Sequence, residues 1–160
     1  MTKNFEKLKE IIKYVIKLQG GKVYTKIRLM KLLYILDREY FKKIGESLTG
    51  VDYKNYFYGP YSSQITNALN ELEKEGVVTV EKKVDILEDK EFYIITLNSH
   101  NFELSKEEMS VIREILSPYL HKSLQELLDD VYGSSEFSNT PFGEVIKFSN
   151  ESRSISTPSK

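Results

Sequence analysis

The segment between Thr25 and Gly45 constrains the fold more than any other part of the chain. Within it lie Ile27, Leu29, Met30, Leu32, Leu33, Tyr34, Ile35, Leu36, Tyr40 and Phe41. These positions cover more than one stripe of a helix, and a helix that is apolar around most of its girth must be surrounded by other elements. Thr25 is placed to cap its N-terminus, and Gly45 follows its end near Lys43. A chain of 160 residues has room for one such centre. We therefore expect a single domain over residues 1–148 and a polar, disordered tail over 149–160, where SNESRSISTPSK shows no apolar period.

The remaining elements follow from local signals. Phe5, Leu8, Ile12, Val15 and Leu18 recur at helical spacing before Gly20-Gly21. Residues 51–58 read as a short extended or irregular connection, and Gly59-Pro60 as a turn. Ser62 or Ser63 then caps a helix whose apolar face is Ile65, Ala68, Leu69 and Leu72, with Gly76 just past its end. Val77–Val80 and Phe92–Leu97 predict a hairpin that turns near Glu88-Asp89-Lys90. Ser105 with Glu108, and Ser123 with Glu126, are capping boxes that open two further helices, one ending at Pro118 and the other at Gly133. Thr140-Pro141 predicts a last short helical turn. The expected class is α+β and mainly helical: a compact helical domain with one β-hairpin, in the helix-then-hairpin order of a winged helix.

Several kinds of chemistry find little support in the residues. The chain has no cysteine, which removes disulfides, thiolate metal sites and thiol nucleophiles, and fits a cytoplasmic location. The two histidines, His100 and His121, have no ligand partner three or four residues away on one helix face. There is no phosphate loop, no G-x-S-x-G and no H-E-x-x-H. Neighbouring carboxylates such as Asp129-Asp130 diverge around a helix and read as solvated faces. We expect no enzyme, no cofactor and no metal. No apolar run reaches the length of a membrane span.

The net charge of −1 conceals an asymmetry. Residues 1–43 carry 12 Lys or Arg against 4 Asp or Glu, and the rest of the chain carries 11 against 20. Either the basic part docks on the acidic remainder, or it forms a face for nucleic acid or an acidic partner. The winged-helix order from Ser62 to Leu97 raises DNA binding, but Glu71, Glu73 and Glu75 stand there against Lys74 alone. A second concentration is aromatic. Tyr53, Tyr56, Tyr58 and Tyr61 fall within nine residues around Phe57. Tyrosine suits both core packing and protein interfaces.

Two blocks carry a resemblance. One is I-R-L-M-K-L-L-Y-I-L-D-R-E-Y-F over residues 27–41; the other runs from Leu48-Thr49-Gly50 to Tyr58-Gly59-Pro60-Tyr61-Ser62. A K-L-L-Y helix, an L-T-G connection and a Y-G-P turn together resemble the Panacea domain, the SocA-like antitoxin family that includes phage-associated proteins. The resemblance extends over roughly residues 5–148. It departs from the family at Tyr61, where Val is frequent.

The resemblance implies a mainly helical antitoxin domain that neutralises a cognate toxin by direct binding, in one type as an adaptor to a protease. A winged-helix transcription regulator is the alternative. Lys31 and Tyr34 match the helix motif, and Tyr58, Gly59 and Pro60 match the turn. Arg28, Lys31 and Arg38 are expected to be the exposed cations of the central helix, and Tyr56 and Tyr61 extend the aromatic cluster. These nine residues are the candidate partner contacts. The interface expected of them is about 1,200–2,000 Å².

Overall fold

The computed structural model describes residues 3–148. The expected tail, residues 149–160, lies outside the described residues. The order is α1 (Lys3–Leu18), β1 (Lys22–Tyr24), α2 (Lys26–Ile44), β2 (Tyr53–Tyr56), β3 (Gly59–Tyr61), α3 (Ser63–Lys74), β4 (Val78–Asp85), β5 (Lys90–Leu97), α4 (Lys106–Leu116), α5 (Leu124–Tyr132), α6 (Ser135–Ser138) and β6 (Val145–Ile146). A 3₁₀ turn at Ser117–Tyr119 follows α4, where Pro118 removes a helical donor. The class is α+β and mainly helical. Among the described residues no helix is long and apolar enough to cross a membrane.

α2 is the axis of the molecule. Its residues from Leu29 to Arg38 are all buried, and α1, α4, α5, β1, β3 and β5 pack around it. Thr25 caps it by accepting from the Arg28 amide, and Gly45 closes it with a left-handed φ of 94° and an N–H bond to the Phe41 carbonyl. Both capping boxes form as the sequence predicts, at Ser105–Glu108 and Ser123–Glu126.

The strands differ from expectation in number. β1, β5 and β4 form one antiparallel sheet in that order, and β3, β2 and β6 form a second. The single expected hairpin is therefore one of two. The corner of the second hairpin is Phe57-Tyr58, with Tyr56 opposite Gly59, so Gly59 and Pro60 begin a strand instead of making the turn. The positive φ that this reversal needs falls on Gly59, at 95°. The expected helical turn at Thr140-Pro141 does not form. α6 lies upstream, and Asn55 on β2 takes up the chain beyond it, bonding the Gly143 amide and the Glu144 carbonyl at 2.7 and 2.9 Å. Sheet pairing thus decides the backbone there.

The sequence α1–β1–α2–α3–β4–β5, with β1 beside β5, is the order of a winged-helix core. The β2–β3 hairpin is inserted between its second and third helices, and α4–α6 form a C-terminal cap. Part of the basic N-terminal stretch docks on the acidic remainder. Lys9 pairs with Glu75 at 2.8 Å, Arg38 with Asp130 at 2.9 Å, and Lys7 with Glu108. Replacing Leu33, fully buried at the centre of α2, with Ala is expected to destabilise the protein by about 2–5 kcal/mol in urea denaturation, through lost burial and the cavity left behind.

Candidate functional site

Four polar side chains of α2 recur about one turn apart: Lys31, Tyr34, Asp37 and Arg38. All four are buried. They face inward because the inserted hairpin and the cap cover that side of the helix. Each makes a specific tie.

Asp37 is fully buried, and both of its oxygens are bonded. Oδ1 accepts from the Leu48 and Thr49 amides, each at 2.9 Å, and from the Ser47 hydroxyl at 3.1 Å. Oδ2 accepts from the Thr49 hydroxyl at 2.6 Å and the Tyr53 hydroxyl at 2.7 Å. Among the described residues no cation lies within ion-pair distance of it. Burial pushes the carboxyl above its ordinary range, and the bonds from Thr49, Tyr53 and Ser47 pull against that shift. Tyr53 is held as a neutral phenol, raised well above 10 by burial and by the neighbouring carboxylate. Its ring meets Tyr34 edge-on at 5.1 Å.

Lys31 is 2% exposed, and its ammonium donates to the Pro60 carbonyl at 2.9 Å. Gly59 lies against it: a Cβ there would come within 2.9 Å of Lys31 Cε. The glycine of the Y-G-P motif is thus favoured by its positive φ, and a side chain there would also displace the end of Lys31. Arg38 is held between Asp130 and Glu39, each at 2.9 Å.

These findings correct the expectation that α2 presents Lys31 and Arg38 as exposed cations. Neither reaches the surface, and Tyr34 is fully buried as well. Gly59 and Pro60 are also buried. Arg28 is half-buried. Its guanidinium bonds the Gln19 side chain at 2.5 Å and the Leu120 carbonyl at 3.0 Å, beside Lys22, His121 and Lys122. Arg28 and the tyrosines near the hairpin corner remain accessible.

The hairpin corner gathers an exposed aromatic cluster. Phe57 is 72% exposed, Tyr58 68%, Phe142 58% and Tyr56 44%. Tyr56 stacks on Phe142 with ring centres 5.6 Å apart and planes at 13°, and Phe57 meets Phe142 edge-on at 5.0 Å. Tyr61 adjoins Tyr56 at 5.6 Å. An apolar cavity of about 180 Å³ opens beside the cluster, lined by Lys26, Ile27, Met30, Lys31, Tyr56, Tyr58, Gly59, Pro60, Tyr61 and Thr66. The structure therefore brings together Lys31, Tyr56, Tyr58, Gly59, Pro60 and Tyr61, and leaves Tyr34, Arg28 and Arg38 outside the lining.

Sequence reasoning missed Phe142 and the role of Asp37. Phe142 had one signal, an isolated aromatic between Pro141 and Gly143. Asp37 had another, the Ser47 and Thr49 hydroxyls in the loop that follows its helix.

A second apolar point, Ile86 and Leu87, stands at the β4–β5 tip, 88% and 95% exposed. On α3 the outward residues include Gln64, Asn67, Asn70, Glu73 and Lys74. Among the described residues no group of three or more His, Cys, Asp or Glu is placed to hold a metal ion.

These features define a helical domain on a winged-helix order, with an inserted aromatic hairpin tied to its central helix. The family model described as antitoxin SocA-like, Panacea domain, matches residues 29–151, and the chain belongs to that family. The match opens within α2, so it takes in the second sequence block and all of the first but Ile27 and Arg28, and leaves α1 outside. Comparison with curated proteins and with solved structures finds no match.

Two stability measurements test the ties. Asp37→Ala strands five donors, two of them backbone amides, and is expected to cost on the order of 3 kcal/mol. Asp37→Asn is expected to cost less, because its amide oxygen replaces Oδ1 and the two hydroxyls can turn to accept from its nitrogen.

The second measurement uses pH. Burial lowers Lys31 from 10.5 to about 8. Below about 8 the lysine is charged whether the chain is folded or not. Between about 8 and 10.5 only the unfolded chain holds the proton, so the Lys31 contribution to stability rises with pH across that window. Urea denaturation at steps from pH 7.5 to 10 is expected to show this slope in the wild type and to lose it in Lys31→Met.

Proposed function

We propose that the protein is an antitoxin that neutralises a cognate toxin by binding it directly, through the aromatic corner of the β2–β3 hairpin. The observation that carries this reading is the contiguous patch of Tyr56, Phe57, Tyr58 and Phe142, exposed at the end of a hairpin anchored from below. A monomer gains nothing from leaving four rings at one corner in water, whereas a partner that covers them gains apolar burial at little entropic cost. Aromatic residues on a rigid support are the usual anchors of interfaces. Membership of the antitoxin SocA-like family agrees with this reading. The protein then acts in the cytoplasm as a binding module without a catalytic step.

A winged-helix regulator is the second reading, favoured by the β1–β5–β4 sheet following α3. Glu71, Glu73 and Glu75 on and just after α3 oppose a phosphate backbone, and Lys9 is already paired with Glu75. Under the antitoxin reading, no salt-dependent binding to duplex DNA is expected at low ionic strength.

The direct test is co-expression with a toxic product of a neighbouring gene. Phe57→Ser combined with Tyr58→Ser is expected to weaken toxin binding at least about 100-fold and to abolish growth rescue. The melting temperature is expected to stay within about 2 °C, because both rings are more than two-thirds exposed. Ile86→Ser with Leu87→Ser, at the other tip, is expected to rescue growth as the wild type does. Full rescue by the Phe57/Tyr58 variant would remove the hairpin from the interface.

A further inference from the structure

The cavity beside the aromatic corner contains a charge that nothing in the fold neutralises. Lys31 lines it and is 2% exposed, and its ammonium has three donors. One donor is used by the Pro60 carbonyl at 2.9 Å. Among the described residues no carboxylate lies within 4 Å of it.

The groups around Lys31 explain this. Lys26, Tyr56, Tyr58 and Tyr61 share the cavity wall, and Tyr132 of α5 also comes up against Gly59. None is acidic. The acids of α5 are engaged elsewhere: Glu126 accepts from the Ser123 amide, Asp129 accepts from Gln125, and Asp130 pairs with Arg38. Lys31 itself lines the cavity, and its ammonium lies beside Gly59 and Pro60, which line it too.

A buried ammonium without a counter-ion is costly, and the fold has a simpler option at a helix position that faces a hairpin, an apolar side chain. The cavity, at about 180 Å³, is smaller than the pockets that enclose cofactors or drug-sized ligands, and its size suits a single side chain. Its walls are largely apolar and aromatic, and both of its charged lining residues, Lys26 and Lys31, are positive.

We infer that this cavity is the recognition pocket for one acidic side chain of the toxin, whose carboxylate pairs with Lys31 while its methylenes lie between the tyrosines. The inference rests on the antitoxin reading and names the chemistry of the anchor that the hairpin surface receives. Binding then couples to protonation. A carboxylate demands the charged ammonium, so the complex takes up a proton wherever free Lys31 is partly neutral, near pH 8. Affinity is expected to fall about tenfold between pH 7 and pH 9.

Two arms test this. The first needs no toxin. With lysine labelled at Cε with ¹³C, the Lys31 resonance is followed by NMR while 3-phenylpropionate or the neutral 3-phenylpropionamide is added. The inference expects the carboxylate alone to move that resonance and to raise its titration midpoint. No shift with either probe, or equal shifts with both, overturns it, whatever the toxin does.

The second arm measures toxin affinity by calorimetry from pH 7 to 9. Lys31→Met is expected to bind at least tenfold more weakly at pH 7 and to lose the pH slope. One Asp→Asn or Glu→Gln change in the toxin is expected to reproduce that loss, with no further loss when the two are combined. If Lys31→Met binds like the wild type while the Phe57/Tyr58 variant does not, the hairpin interface stands and this inference falls. If no toxin binds the wild type, the antitoxin reading falls, and the inference with it.

Discussion

The buried carboxylate of Asp37 is the interaction on which the rest of the structure turns. A charge at the centre of a domain is normally held by a cation, and here it is held by five hydrogen-bond donors from the next 16 residues of chain. Those donors come from the loop after α2 and from the first residue of β2, so meeting the carboxylate's demand fixes the path of the chain leaving the helix. Lys31, two turns earlier, fixes the returning strand through the Pro60 carbonyl. The inserted hairpin is thus fastened to α2 at both of its strands, by one acid and one base that do not touch each other. Its short strands would not be stable alone.

This arrangement divides the hairpin into two regions with different physics. Beneath, the contacts are polar, directional and dry, and each needs a particular residue. At the corner, the contacts are among aromatic rings that water reaches. A ring there carries no duty to the fold. The support beneath the corner is fastened at both strands, and a surface on a fixed support loses less freedom when it is covered. The β4–β5 tip has comparable exposure at Ile86 and Leu87 but no equivalent fastening beneath it and no ring cluster around it.

Much of this fold is legible in the sequence because its signals are local. Thr25, Gly45 and the serines of the two capping boxes act on donors within a few residues, so their effect can be read without knowing the rest of the chain. β1 escapes such reading. Three residues, Lys22–Tyr24, become a strand only by pairing with Ile94–Thr96 far along the chain. The same limit applies to the site. Lys31 and Arg38 look like surface cations on a helical wheel, because nothing in residues 26–44 announces that a hairpin and a C-terminal cap will cover them. Tyr56 and Tyr58, expected among the partner contacts, are exposed, since their positions beside the turn keep them out of the core. Phe142 reaches the same cluster from the other end of the domain, through strand pairing that no local pattern encodes.

The division between anchored base and free corner bears on how such a protein changes over generations. Most substitutions in a protein are limited by the stability they remove. At Phe57, Tyr58 and Phe142 that limit is nearly absent, because their rings are mostly in water already. Meanwhile Asp37, Thr49, Tyr53, Lys31 and Gly59 hold the platform in place. If the corner is the toxin contact proposed above, partner choice can drift while the scaffold stays constant, and a lineage can exchange one adversary for another without first becoming unstable.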